Sequence, residues 1–107
     1  MNFADTLKTL PTADHIAAIE LHDATGTTVA RLENKPGSAG SVRVYAALTA
    51  EFGSISPEAA QRGLALYCEH TDDARQHPGK HPNIDRLLAL TNGGEPLQAR
   101  LLPQIEA

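Results

Sequence analysis

The sequence predicts an α+β fold, in which a small antiparallel sheet carries three or four helices on one face. Two alternating apolar–polar runs within residues 15–34 flank the turn letters DATG (23–26) and predict an N-terminal β-hairpin. Apolar residues between 56 and 92 recur at helical spacing, and the stretch PLQARLLP (96–103) alternates again, as in a C-terminal strand bounded by prolines. The predicted order is α-β-β-α-α-α-β, and 107 residues suit a single domain, 1–107.

The N-terminal third of the chain predicts a short amphipathic helix and the hairpin. The helix, NFADTLKTLP, has Asn2 as its N-cap and ends at Pro11. In the hairpin, one register places the apolar residues on a shared face, with the expected pairs Leu21–Thr28, Ile19–Ala30 and Ala17–Leu32. The opposite face should meet solvent or a partner, and its polar residues are Glu20, His22, Arg31 and Glu33.

The middle of the chain predicts helices. The segment VRVYAALTAEFG (42–53) alternates like a strand at its start but has helical spacing further on, and its alanines and Gly53 favour a helix. Residues 56–76 predict one helix with Ser56 as N-cap and Pro57 at its first position. The residues predicted to face the core are Ala60, Leu64, Tyr67, Cys68 and Thr71. Cys68 is therefore expected to be a small core residue. A further helix follows over PNIDRLLALTN (82–92).

Composition excludes several classes of protein. A net charge of −4 argues against a general binder of nucleic acid or of membrane surfaces, since both need a basic face. A single cysteine excludes an internal disulfide and suits a reducing compartment. No secretory signal and no apolar run of membrane-spanning length is visible, so we expect a cytoplasmic protein with neither a nucleic-acid nor a membrane partner.

The stretch HTDDARQHPGKHPNID (70–85) concentrates three histidines and three aspartates. The letters at His77 and His81 match the His-x3-His spacing of a helical zinc motif. Each of these histidines precedes a proline, however, and a residue before proline is driven towards extended geometry. We therefore predict a Pro-Gly turn between two helices, with His81 as the N-cap of the second, and no metal site.

Two loops with similar letters suggest an anion site. NKPGSAGS (34–41) and HPGKHPN (77–83) each combine a Pro-Gly turn with a lysine and precede a helix start, where free backbone N–H groups favour an anion. If the loops meet in space, they could hold a phosphate or a carboxylate. The candidate ligand-binding residues are Lys35, Ser38, Ser41, Lys80 and His81. No P-loop, GxSxG, CxxC, HExxH or GxGxxG motif is present, so we predict no cofactor and assign no catalytic residue.

Three segments carry a resemblance to a known family: HIAAIELHDATG, ENKPGSAGSVRVYAAL and GLALYCEHTDDARQHPGKHPNIDRLL. Over nearly its whole length the chain resembles a family of short proteobacterial proteins catalogued as a domain of unknown function. The resemblance implies a bacterial, cytosolic, single-domain protein. It implies no activity and assigns no role to any residue.

Two hypotheses for function follow. The first is a non-enzymatic interaction or binding module that self-associates as a homodimer, burying Ile16, Ala18 and Val29 of the outer sheet face. The alternative is a small protein or enzyme that binds an anionic ligand through the loops 35–41 and 77–83. The alternative requires these loops to converge on one concavity, so their positions separate the two hypotheses.

Overall fold

The computed structural model describes residues 2–104, and within them the chain forms five helices and three strands. The elements are α1 (Phe3–Leu7), β1 (Ile16–His22), β2 (Thr28–Glu33), α2 (Ala39–Phe52), α3 (Pro57–Leu66), α4 (Glu69–Gln76), α5 (Pro82–Thr91) and β3 (Gln98–Pro103). The predicted α+β class and the order of helices and strands are confirmed, with one more helix in the central run than predicted. The helical reading of residues 42–53 is also confirmed, although α2 begins three residues earlier.

The three strands form an antiparallel sheet in the order β2-β1-β3, so the C-terminal strand lies beside the hairpin as predicted. The inner face of the sheet contributes Ile19, Leu21 and Leu32 to the hydrophobic core, against which the helices pack. The outer face carries the predicted polar residues, and Glu20 at its centre lies between Arg31 on β2 and Arg100 on β3. Its carboxylate is 3.0 Å from the Arg31 guanidinium.

The predicted register of the hairpin is wrong by two residues. Leu21 lies opposite Ala30 and Ile19 opposite Leu32, instead of opposite Thr28 and Ala30. A shift of two residues keeps every side chain on its predicted face, because side chains alternate with a period of two. The apolar pattern therefore could not distinguish the two registers.

The turn explains the observed register. The Asp23 carboxylate accepts hydrogen bonds from the amides of Thr25 and Thr27, at 2.9 and 3.1 Å. These contacts make a five-residue loop, 23–27, where the sequence suggested four residues. A bulge beside the loop then pairs His22 with Thr28 and leaves Val29 as the extra residue. The Thr25 hydroxyl also donates to the Asp23 carboxylate, at 2.6 Å, and this bond is the main cause that lowers the pKa of Asp23, with the amides of Thr27 and Thr25 adding to it.

The residues expected to form a dimer surface are mostly buried within the protomer. A second bulge leaves Ala17 as the extra residue against β3, so that Ile16 joins the same core as Ile19 and is 2% exposed. Ala18 is fully buried between its cross-strand neighbours Glu33 and Leu102. Ile16 therefore does not lie on the outer face as predicted, whereas Ala18 shares that face with Glu20 but is not exposed on it. Val29 is exposed as predicted, at 49%.

The helix predicted over residues 56–76 is two helices, which meet at Cys68. Cys68 has a φ of +53°, a value that ends a right-handed helix and is uncommon outside glycine. The Thr71 hydroxyl donates to the carbonyl of Leu64 across this break, at 2.6 Å. Cys68 is half-buried at the start of α4, with its Sγ 3.3 Å from the Thr6 hydroxyl, and does not lie in a helix interior as predicted.

The corner between α4 and α5 follows the prediction. α4 ends at Gln76 and α5 begins at Pro82 with His81 as its N-cap, so the two His-Pro steps separate the helices. None of the helices within residues 2–104 has the length and the apolar character needed to span a bilayer.

Tyr45 joins the helical core to the first turn of α5. Its side chain is fully buried, and its hydroxyl donates to the carbonyl of Asn83 at 2.6 Å while it accepts from the Arg86 guanidinium at 3.1 Å. Burial raises the pKa of Tyr45 to about 12, so this hydroxyl remains a donor at neutral pH.

We expect Tyr45→Phe to lower the free energy of unfolding by about 1 kcal/mol, because it removes one buried hydrogen bond and one partner of Arg86. Urea unfolding at pH 7 measures the change. Val29→Ala, on the exposed edge of the sheet, should stay within about 0.5 kcal/mol of wild type. Equal stability of Tyr45→Phe and wild type would contradict the role of the hydroxyl.

Candidate functional site

The loops 35–41 and 77–83 meet at an open cavity of about 490 Å³. Its walls come from four parts of the chain: α1, the start of α2, the junction of α3 and α4, and the start of α5. The polar lining residues are Ser41, Tyr67, His70, Lys80, His81 and Asn83. The convergence on one concavity, which the ligand-binding hypothesis requires, is therefore present in the structure.

The two loops have the same local geometry. In each loop, a Pro-Gly pair occupies the two central positions of a four-residue turn. A backbone hydrogen bond closes the turn, from the Ser38 amide to the Lys35 carbonyl in the first loop and from the Lys80 amide to the His77 carbonyl in the second. Gly37 and Gly79 have φ values of +95° and +93°, which only glycine adopts at low cost. Each turn leads directly into a helix, so α2 and α5 both begin at the cavity.

Several hydrogen-bond donors at the cavity have no acceptor among the residues that the structure describes. Within residues 2–104, the backbone amides of Gly40, Ser41 and Asn83 donate to no protein group, as expected for first turns of helices. The Tyr67 hydroxyl donates to Ser41 Oγ at 2.8 Å, which leaves the hydrogen of the Ser41 hydroxyl free to donate into the cavity. Burial raises the pKa of Tyr67, so Tyr67 remains the donor in this pair.

Asp73 of α4 fixes the basic side chains at the cavity rim. Its carboxylate lies 2.6 Å from His81 Nε2 and 3.0 Å from Lys80 Nζ, with His77 Nε2 further away at 3.8 Å. The hydrogen bond from His81, together with that from Lys80, lowers the pKa of Asp73 to about 2. Lys80 and His81 are therefore held in position by an anion of the protein, and a ligand must share them with Asp73.

Aromatic rings form the inner wall of the cavity. The Phe3 ring stacks on Tyr67 with a centroid distance of 5.1 Å and meets the edge of His70 at the same distance. His70 in turn lies 5.6 Å from His81. Phe3 also packs over Gly40, where an added Cβ would come within 3.4 Å of the ring. The Glu69 carboxylate accepts the Phe3 amide at 2.8 Å and so anchors α1 in this position.

Of the five candidate ligand-binding residues, Ser41, Lys80 and His81 line the cavity, whereas Lys35 and Ser38 do not. Lys35 pairs with Glu33 at 3.2 Å and is exposed, and the Ser38 hydroxyl donates to the Glu33 carbonyl. Binding at the three cavity residues stays a prediction. The hydrogen bond and the charge of Lys35, and to a smaller extent those of Arg31, lower the pKa of the Glu33 carboxyl.

The sequence did not indicate four of the residues that shape the site. The apolar pattern predicts Tyr67 as an inward-facing helix residue, and Phe3, His70 and Asp73 do not belong to the predicted ligand-binding residues. The spacing of Asp73 and His77 by four residues places both on one helix face, which was a usable signal for that contact. The contacts of Asp73 with Lys80 and His81 depend on the corner and have no signature in the sequence.

The side chains at the cavity, as far as the structure describes them, form neither a metal site nor a serine–histidine pair. Within residues 2–104, no group of three or more His, Cys, Asp or Glu side chains is placed to hold a metal ion. In the same part of the chain, Ser41 makes no hydrogen bond to a histidine. The arrangement offers donors and a positive charge for an anion, beside an aromatic surface.

A family model described as "Uncharacterized protein conserved in bacteria (DUF2322)" matches residues 3–101. The chain belongs to this family. The match confirms the resemblance drawn from the sequence, and it covers every wall of the cavity, from Phe3 to Ile84. No curated protein and no solved structure matches the chain.

Because the pKa of Asp73 is lowered from 3.8 to about 2, its ionised form stabilises the fold. This contribution is fully present above pH 3.8, the value of the unfolded chain, and is lost as the pH falls towards about 2. We expect Asp73→Asn to lower the Tm at pH 7, and the difference from wild type to shrink as the pH falls from 3.8 to about 2.

Thermal unfolding followed by circular dichroism at several pH values measures this difference. Asp72→Asn is the matched control, because Asp72 neighbours Asp73 but, among residues 2–104, pairs only with the exposed Arg75, at 3.7 Å. It should leave the Tm nearly unchanged throughout. A Tm difference for Asp73→Asn that is constant between pH 7 and pH 2 would contradict the assignment.

Proposed function

We propose that this family member is a binding protein for a small anionic molecule, a phosphate or a carboxylate, held in the cavity between the loops 35–41 and 77–83. The single observation that carries the proposal is the convergence of the two Pro-Gly loops on one cavity. The other hypothesis from the sequence, a self-associating interaction module, does not require the two loops to converge, so their convergence does not support it.

The chemistry of the cavity supports an anion over a neutral or cationic ligand. The free donors are backbone amides and the Ser41 hydroxyl, and the nearest full charge is that of Lys80. Charged hydrogen bonds of this kind are stronger than neutral ones, and the starts of two helices add partial positive charge. No acidic side chain lines the cavity within residues 2–104, since Asp73 lies behind Lys80 and His81.

The two lysines of the loops provide a matched test. Lys80 lines the cavity and pairs with Asp73, whereas Lys35 pairs with Glu33 away from the cavity, and their side chains are similarly exposed, at 60% and 66%. We expect Lys80→Ala to weaken anion binding about 10-fold, the effect of losing one charged hydrogen bond of about 1.5 kcal/mol. Lys35→Ala should bind as wild type does.

The measurement is an NMR titration of the ¹⁵N-labelled protein with inorganic phosphate, phosphomonoesters and small carboxylic acids. Binding should shift the amide signals of Gly40, Ser41 and Asn83 together, with one dissociation constant for each ligand. The absence of saturable shifts at these amides for every member of the panel would refute the proposal. Equal weakening by both lysine variants would show that binding occurs elsewhere on the surface.

We also propose a homodimer that forms through an edge of the sheet. Leu101 of β3 faces the same side as the core residue Ile19, yet it is 37% exposed, and Val29 of β2 is the other exposed large apolar side chain within residues 2–104. Edge strands with uncovered apolar side chains favour pairing with another chain.

Light scattering at tens of micromolar should give the mass of a dimer for wild type and of a monomer for Leu101→Lys. Val29→Lys is the matched variant on the opposite edge and should remain dimeric. A monomeric wild type would contradict the dimer, and a monomer produced only by Val29→Lys would contradict the choice of edge.

A further inference from the structure

We infer, on the basis of the proposed function, that the ligand carries an apolar planar group beside its anionic group, as an aryl phosphate or an aromatic carboxylate does. The inference names the class of ligand for the same cavity. It depends on the size of the cavity and on the rings in its wall, and not on the helix starts.

The cavity is much larger than an inorganic anion. Its volume of about 490 Å³ equals the space of roughly 15 waters, and it lies in the range of pockets that hold organic ligands. A phosphate or acetate beside Lys80 would leave most of this space filled with water.

The remaining wall is apolar and aromatic. Phe3 and Leu7 of α1 and Pro82 of α5 line the cavity with side chains that are partly or largely exposed, whereas Tyr67 and Ile84 line it but are nearly buried. An organic group that covers Phe3, Leu7 and Pro82 gains free energy roughly in proportion to the apolar area removed from water. An inorganic anion leaves these three side chains in contact with water.

The rings of the wall are also arranged in a row. Along the row Tyr67, Phe3, His70 and His81, each ring contacts the next with centroid distances from 5.1 to 5.6 Å. The chain has only two phenylalanines and two tyrosines, so half of them lie at this one cavity. Phe3, His70 and His81 keep part of their ring surface exposed, which favours a planar ligand that can stack on the rings or meet them edge-on.

Paired ligands test the inference directly. We expect phenyl phosphate to bind at least 10-fold more tightly than inorganic phosphate, and phenylacetate at least 10-fold more tightly than acetate, in the NMR titration. Benzyl alcohol, which has the ring without the charge, should bind more weakly than either aromatic acid.

Substitutions test whether the aromatic side chains of the cavity wall cause the gain in affinity. Phe3→Leu should weaken phenyl phosphate about 3- to 10-fold and leave inorganic phosphate unchanged, because only the first ligand reaches the ring. Phe52→Leu is the matched control, since Phe52 packs at the end of α2 and does not line the cavity. Lys80→Ala should weaken both phosphates by the same factor. The Tm of each variant confirms that the fold is retained.

The outcomes separate the inference from the proposed function. If phenyl phosphate and inorganic phosphate bind with equal affinity, the inference is wrong and the anion site stands. The inference is also wrong if Phe52→Leu weakens phenyl phosphate as much as Phe3→Leu does. If no anion of either kind binds, the proposed function fails and the inference fails with it.

Discussion

The backbone break between α4 and α5 is the constraint on which the cavity depends. Prolines at 78 and 82 prevent α4 from continuing into α5, and Gly79 turns the chain with a φ of +93°. If one unbroken helix ran over the same residues, Lys80 and His81 would lie on its solvent-exposed face, away from the start of α2. Because the chain turns, α5 starts beside α2, and the first turns of both helices open into the same space.

The charge around the cavity is balanced more closely than the sequence suggests. Asp73 offsets Lys80 and binds His81, so the rim does not carry the unopposed positive charge that its basic residues imply. The proposed anion site therefore relies on directed donors, namely the free amides and the Ser41 hydroxyl, more than on net charge. This accords with an overall charge of −4.

The sequence predicted what depends on local rules and missed what depends on distant contacts. Proline and glycine act within four residues, so the turns at 35–38 and 77–80 and the N-cap at His81 were predictable. The hairpin register was missed because a two-residue shift leaves the apolar pattern unchanged, and Asp23 decided it through its own turn. The break at Cys68 was missed because no glycine or proline marks it.

The same distinction applies to the cavity. Ser41, Lys80 and His81 could be named as candidates because they belong to the loops 35–41 and 77–83, whereas Phe3 and Asp73 reach the site only through the fold. The four walls lie far apart in the sequence, so the site exists only when α1 and α5 are both packed in place. A ligand that binds such an assembled site stabilises the folded state against the unfolded one, by about 2.7 kcal/mol at a concentration of 100 times its Kd. The proposed ligand would therefore also stabilise the docking of α1, a five-residue helix that is held to the rest of the protein by Phe3, Thr6 and the Glu69 carboxylate.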